Sequence, residues 1–247
     1  MSNFSGAYAF LAPLYDRLSD RDIDYAGWSA YYCALAQLKR PMTVLEVGCG
    51  TGKMTAQLLK RGLRVTATDI SQQMLTVAGE TCRRMGTVPV LACADMRTIK
   101  AHKPVDAVLC VCDGVNYLLT DEDLAAFFAS AYAALKPGGM LAFDFSSAQK
   151  LAAMDGQIYY DDRDDVTCLW TNALEEDRIR MDLAFFVKRK DGLYERVDET
   201  HLQRLYEPEL VSTLLAQAGF EQIEAIQPEE TISWRRGRVH MTARKPK

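Results

Sequence analysis

A chain of 247 residues can bury one substantial core with an inserted cap, but hardly three domains. Its formal net charge of -4 gives no coherent basic surface for neutralising phosphates, so the expected partner is a small molecule and not nucleic acid. Seven scattered cysteines, an odd number, predict reduced thiols in a cytoplasmic protein and no metal site. No run of eighteen apolar residues occurs, and the opening MSNFSGAYAF lacks a basic leader, so no membrane association is expected.

From Tyr8 to Leu38 the chain is rich in Tyr, Trp, Leu and Ala, and Trp28, Tyr31, Tyr32, Leu35 and Leu38 recur at helical spacing before Pro41. This predicts an N-terminal helical arm over residues 1–40. A strand is expected over Val44 to Gly48, then a helix with Leu58 and Leu59 facing a sheet and its end at Arg61-Gly62. Arg64 to Asp69 reads as the second strand. Ser71 then caps a helix carrying Met74, Leu75 and Ala78, and Val88 to Cys93 is the third strand, closing on Ala94-Asp95. Strand and helix alternate, which implies a parallel sheet.

Val105 to Cys112 is an apolar run broken only by Asp106, as a strand buried on both faces requires. Cys110 and Cys112 would share one face of it, a spacing unlike that of a zinc knuckle. Thr120 and Asp123 form a capping box for a helix bearing Leu124, Phe127, Phe128, Ala131 and Leu135, ended by Lys136-Pro137-Gly138-Gly139. Met140 to Phe145 is the fifth strand. After Ser146 helix signals vanish, and Gln157 to Tyr206 reads as an antiparallel insertion with Asp191-Gly192 as a hairpin turn. Pro208 opens a helix closed by Gly219, and Phe220 to Ile226 and Arg238 to Arg244 supply two last strands. The expected division is a helical arm over 1–40, an α/β core over 41–146 and 207–247, and a β insertion over 147–206.

The stretch TVLEVGCGTG, followed by TATDIS, carries the chemistry. Glycines let a strand-to-helix turn approach a nucleoside closely, and an acid about twenty residues on accepts protons from ribose hydroxyls. Asp69 has that offset. The candidates are a dinucleotide and an adenosyl sulfonium. The glycines run G-x-G-x-G instead of G-x-G-x-x-G, which disfavours NAD and an oxidoreductase. Glu46, two residues before the first glycine, would sit near the positive part of an amino-acid ligand or order the loop.

VLEVGCGTG, TDIS, ADM, CDGVNYLL and LKPGG, in that order, resemble the class I S-adenosylmethionine-dependent methyltransferases. The resemblance implies a Rossmann-like fold with a mainly parallel seven-stranded sheet and helices on both faces. It also implies a cofactor site drawn from Glu46, Gly48, Cys49, Gly50, Gly52, Asp69, Ile70, Met74, Asp95, Met96, Cys112 and Asp113. Within it, Gly48 and Gly50 line the methionine portion, Asp69 holds the ribose, and Asp95 with Met96 addresses the adenine; a turn cap is the competing reading of Asp95. More narrowly, the layout is similar to a small-molecule branch with a β insertion after strand five, including amino-sugar and other amine N-methyltransferases. The Asn/Asp-Pro-Pro-Tyr/Phe signature of adenine- and amide-methylating relatives is missing, which turns the reading away from DNA and glutamine.

Methyl transfer from a sulfonium is an in-line displacement needing position and desolvation more than a catalytic triad. An amine acceptor must lose a proton before it attacks, and His201 is the candidate base because histidine titrates near neutrality. The competing reading has His201 pointing outward from the inserted sheet. Asn116 and Tyr117 follow a buried strand at the carboxyl edge, where open α/β sheets bind ligands, and are the other catalytic candidates. Tyr8 and Tyr15 are candidates to close over the sulfonium, against an ordinary core role. The acidic stretch from Asp155 to Asp182 would attract a cationic substrate or form a solvated face. The basic C-terminal RRGRVHMTARKPK reads as a last strand with a solvated tail. The expected activity is methyl transfer from S-adenosyl-L-methionine to a small-molecule amine by a monomer or homodimer. The alternative is a non-catalytic S-adenosylmethionine-binding module.

Overall fold

The computed structural model describes residues 12–19, 24–227 and 236–247. Helices α1 (Ala12–Ser19) and α2 (Tyr25–Leu35) form the arm. The core then runs β1 (Thr43–Val47), α3 (Lys53–Lys60), β2 (Arg64–Asp69), α4 (Gln72–Arg84), β3 (Val90–Cys93), β4 (Val105–Cys110), α5 (Asp121–Ala134) and β5 (Leu135–Ser146). After α6 (Ala148–Ala152) come four strands of the insertion: β6 (Ile158–Asp162), β7 (Val166–Glu175), β8 (Arg178–Lys188) and β9 (Tyr194–Arg204). Helix α7 (Pro208–Gln217) and strands β10 (Glu221–Ile226) and β11 (Arg238–Arg244) return to the core.

The larger sheet has seven strands in the order β10-β11-β5-β4-β1-β2-β3. β1 to β5 pair in parallel, and β11 runs antiparallel to both β5 and β10. Chain order therefore grows outward from β1 through β2 and β3, then restarts at β4 on its other side. That reversal between β1 and β4 opens a crevice at their carboxyl ends, the place where such sheets hold ligands.

Helices cover both faces because the central strands are apolar on both. In β5, Leu141, Phe143 and Phe145 pack with Phe127 and Phe128 of α5 and Leu215 of α7. The alternate residues Met140 and Ala142 pack with Trp28 and Tyr32 of α2 and Leu58 of α3. This is the period-two alternation of a strand buried on two sides.

Several boundaries differ from the sequence reading, each for a local reason. β5 begins at Leu135, directly after α5, because Val105 pairs with Leu135 and Ala107 with Met140, and Lys136 to Gly139 bulge between them. Gly139 is needed there: a Cβ would lie 3.1 Å from the Asp106 carbonyl oxygen. β3 starts two residues later than expected, and Val88 is 90% exposed. β4 ends at Cys110, and Cys112 and Asp113 turn the chain with φ of 65° and 63°. Cys110 and Cys112 consequently do not share a strand face. Thr120 Oγ1 caps α5 by accepting from the Asp123 N–H at 3.1 Å, but the Asp123 carboxylate goes to Arg97 at 2.8 Å, so the expected box is half formed.

The insertion does contain a helix, α6, capped by Ser147 Oγ, which accepts from the Lys150 N–H at 3.2 Å. Its strands form a separate antiparallel sheet in the order β6-β7-β8-β9. Val166, Cys168, Ile179, Met181, Leu183 and Phe185 make its inner face, packed with Leu151 of α6 and with Tyr15 and Leu18 of α1. The chain leaves the core at Ser147 and returns at Tyr206, and those two residues pair in an isolated parallel bridge.

Candidate active site

The crevice is a cavity of about 140 Å³ lined by the carboxyl ends of β1, β2 and β4, the glycine loop, and the turn after β3. A single water needs roughly 10 to 15 Å³ by the same kind of measure, so this is a ligand-sized space and not a packing defect. Its floor is Glu46, Val47, Gly48, Cys49 and Gly50; Asp69, Ile70 and Met74 form one wall. Ala94, Asp95, Met96 and Arg97 form a second, and Cys112, Gly114, Tyr117 and Leu118 a third.

The glycine loop explains its own composition. Gly48 and Gly50 have φ of 68° and 53°, and a Cβ at either would meet nothing within 4 Å, so the backbone faces open space. Gly52 has another task. Its φ is 76°, and a Cβ would lie 2.8 Å from Ala78 Cα, so this residue seats the loop against α4 and does not line the cavity.

Asp69 is held in place by the loop it faces. Its Oδ2 accepts the Gly50 N–H at 2.9 Å and its Oδ1 the Ser71 N–H at 2.9 Å. Burial raises its pKa, and these backbone donors oppose the rise. Ser71 Oγ in turn caps α4 by accepting from the Met74 N–H at 3.2 Å. Asp95 lines the cavity and also caps a turn, accepting the Arg97 N–H at 2.9 Å. The Arg97 guanidinium joins Asp95 to Asp123, and its hydrogen bonds hold the Asp95 carboxyl below the usual carboxylate range.

Glu46 is buried at the floor. Oε2 accepts the Thr55 hydroxyl at 2.6 Å, and Oε1 is buried with no hydrogen-bond partner. Burial, opposed by Thr55 and reinforced by nearby Asp69, pushes Glu46 up to about 8.

The arm closes the opposite side. Tyr15, Tyr25 and Lys53 line the cavity, Thr51 donates to Asp16 at 2.7 Å, and Lys53 pairs with Asp16 at 3.6 Å. Tyr15 also packs into the inserted sheet's core, so α1 touches both units. Burial raises the pKa of Tyr15 and Tyr25 well above the normal phenol range, keeping both neutral. Tyr8 lies outside the described residues.

The catalytic candidates separate. Tyr117 lines the cavity, and its hydroxyl is 3.2 Å from His201 Nδ1. His201 is buried on the inner face of β9, which corrects the outward reading, and its Nε2 lies 3.3 Å from Glu199 Oε2. Asn116 does not reach the cavity. Its amide donates to the Ser146 and Arg204 carbonyls at 3.2 and 2.9 Å and accepts the Ser146 N–H at 2.8 Å. That corrects the catalytic assignment of Asn116: its amide is committed to tying the core to the insertion.

Asp113 also lies off the cavity wall, in a buried cluster. Arg238 pairs with Asp113 and, at 3.0 Å, with Asp144, and stacks over Trp28 at 5.2 Å. Burial raises Asp144 to about 6 while Arg238 opposes it. The sequence reading missed Tyr25, Lys53 and Arg97 as lining residues and Arg238 as a buried cation. Lys53 follows the last glycine of the motif directly, a signal within reach; Arg238 opens the expected last strand, and nothing local marks it as a buried cation. Part of the acidic stretch of the insertion is paired, Asp161 with Arg163, Asp182 with Arg180, and Asp177 with Arg204.

A buried carboxylate oxygen without a partner, a glycine cradle open where side chains would stand, and a positioned acid at the end of β2 fit an adenosyl amino-acid ligand. Residues 44–139 match the methyltransferase domain family. The candidate methyltransferase YqeM of Bacillus subtilis (strain 168) is 33% identical over 87% of this chain and 86% of its own. The chain belongs to the S-adenosylmethionine-dependent methyltransferases.

A solved S-adenosylmethionine-dependent methyltransferase from Clostridium acetobutylicum superposes with a TM-score of 0.80 at 29% identity, covering 97% of this chain and 99% of that one. A glycine/sarcosine N-methyltransferase from Parasynechococcus marenigrum (strain WH8102) is 26% identical over 85% of this chain and 73% of its own. The enzyme class and its S-adenosyl-L-methionine cofactor follow, which sets aside the NAD-dependent oxidoreductase.

Proposed function

We propose that this methyltransferase acts on an amine nitrogen of a small molecule, held between the cofactor cavity and the inserted sheet. The observation that carries the proposal is Tyr117, which lines the cavity and hydrogen-bonds His201 of the insertion, beside Glu199. Three proton-handling side chains thus run from the cavity wall into the cap.

S-adenosyl-L-methionine supplies an electrophilic methyl carbon on a positively charged sulfur. Gly48 and Gly50 would give its methionine end backbone contact, Asp69 would accept from the ribose hydroxyls, and Asp95, Met96 and Ile70 would frame the adenine. Tyr15 and Tyr25 exclude water. An ammonium acceptor gives a proton to the Tyr117 oxygen as the Tyr117 proton passes to His201 Nδ1, and the Glu199 carboxylate stabilises the imidazolium. The nitrogen is left with a free lone pair facing the place where the cofactor would present its methyl carbon, with S-adenosylhomocysteine as the leaving group. Positioning alone can supply on the order of 7 to 11 kcal/mol, so the relay needs only to keep the amine neutral.

The glycine/sarcosine relative supports nitrogen as the attacking atom through its name. The seven cysteines are all free, in keeping with a cytoplasmic protein. Among the described residues no helix is long and apolar enough to cross a membrane. The test adds purified protein and methyl-labelled cofactor to a cell extract and identifies labelled products by mass spectrometry. Labelled N-methyl metabolites are expected; label confined to oxygen or carbon, to nucleic acid, or to nothing would reject the reading.

A further inference from the structure

Glu46 is isolated in a way that bears on how the cofactor binds. Glu46 lines the cavity; its Oε2 receives the Thr55 hydroxyl from α3, while Oε1 is buried with no hydrogen-bond partner among the described residues. Among the described residues, the cations that share its cavity are already paired with other acids. Asp69 at the end of β2 is an acid; Cys49 in the glycine loop, Cys82 on α4, and Cys110 and Cys112 at the end of β4 are thiols held neutral by burial. The two cations lining the same cavity are committed elsewhere, Lys53 to Asp16 of α1 and Arg97 to Asp95 and Asp123, and Arg238 pairs with Asp113 and Asp144.

We infer that Glu46 carries a proton while the cavity is empty and loses it when the α-ammonium of the cofactor's methionine end arrives, so that cofactor uptake releases a proton. This rests on the placement of that end against the glycine loop. An ionised carboxylate with one hydroxyl donor and a like charge nearby is poorly solvated, so the neutral acid is the stable form of the free protein. The upward shift of Glu46 to about 8 agrees. The entering ammonium brings the missing counter-charge. Before binding, carboxyl and ammonium each hold a proton; afterwards the pair needs one fewer, whichever partner keeps the shared proton. The balance is one proton to solvent.

The sign follows from linkage. Below about pH 8 uptake must displace the Glu46 proton, so affinity rises with pH, approaching tenfold per unit between pH 6 and 7. The device discriminates as well: a ligand with the adenosine but no amino acid leaves the proton in place.

Calorimetry of S-adenosylhomocysteine binding, in phosphate and in Tris at pH 7, reads the protons exchanged without turnover. The wild type is expected to release more than about half a proton per site, and 5′-methylthioadenosine close to none. Glu46→Gln should bind S-adenosylhomocysteine with no release and with an affinity flat from pH 6 to 8. Thr55→Val, which keeps the carboxyl and removes its donor, should move the wild-type pH dependence to higher pH. Binding by the wild type without proton release, or equal release by folded Glu46→Gln, overturns the inference and leaves the cofactor site standing. If the wild type binds no S-adenosylhomocysteine, the cofactor site falls with it.

Discussion

The two walls of this site are built differently. The cofactor side is assembled from short loops at neighbouring strand ends: Gly50, in the loop after β1, and Asp69, at the end of the adjacent β2, are joined by a hydrogen bond and lie 19 residues apart in sequence. The proposed acceptor side is assembled from remote segments: Tyr117 and His201 are 84 residues apart, and Asn116 reaches 88 residues to Arg204. A local wall is specified by backbone geometry that one motif can encode, and the other wall exists only once the insertion docks. The two should therefore fail separately.

The largest separation is expected from replacing residues 157–205 with a short turn. S-adenosylhomocysteine affinity should stay within a few-fold by calorimetry, because Gly48, Gly50, Asp69 and Asp95 all remain. Methyl transfer should fall by more than about a thousandfold, since an acceptor that is not held in line loses much of the positioning contribution. A cooperative melt must accompany the result. Next, Tyr117→Phe should lower kcat by about a hundredfold if the phenol carries the proton, with cofactor affinity unchanged. Equal loss of cofactor affinity would place Tyr117 on the other wall.

Asp69→Asn attacks only the cofactor side. Losing a charged acceptor should weaken S-adenosylhomocysteine binding by roughly 1.5 to 3 kcal/mol, about tenfold to a hundredfold, measured by calorimetry. Asn116→Ala strikes the joint between the walls. It leaves the buried Ser146 N–H and two carbonyls short of partners, so urea unfolding should show a loss of about 2 to 3 kcal/mol. The smallest effect on stability is that of Gly48→Ala. There is room for the methyl group, so the cost is the left-handed backbone alone, about 1 kcal/mol in thermal or chemical stability.

Legibility followed the same division. The parallel core, the Ser71 cap, the 238–244 strand and the glycine loop could be read because periodicity and caps are local signals. The bulge at Lys136 to Gly139 could not, because it answers to the register against Val105 and Ala107 on another strand. Asn116 and His201 show the limit for side chains. Both follow patterns that suggest a site, but one is consumed by backbone bonds across the domain joint, and the other turns inward because β9 lies over Tyr117. Neither outcome is encoded within ten residues of its position. Arg238 is the same case for charge: only the fold brings Asp113 and Asp144 to it.

In the proposed mechanism the insertion handles the acceptor's proton through His201 and Tyr117, while the core, closed by the arm, holds the cofactor. The direct measurement is His201→Gln, assayed with an amine shown to be methylated, for both kcat and S-adenosylhomocysteine affinity. Unchanged affinity and a kcat reduced by about a hundredfold or more are expected. A folded His201→Gln protein that methylates the amine at the wild-type rate would contradict the mechanism.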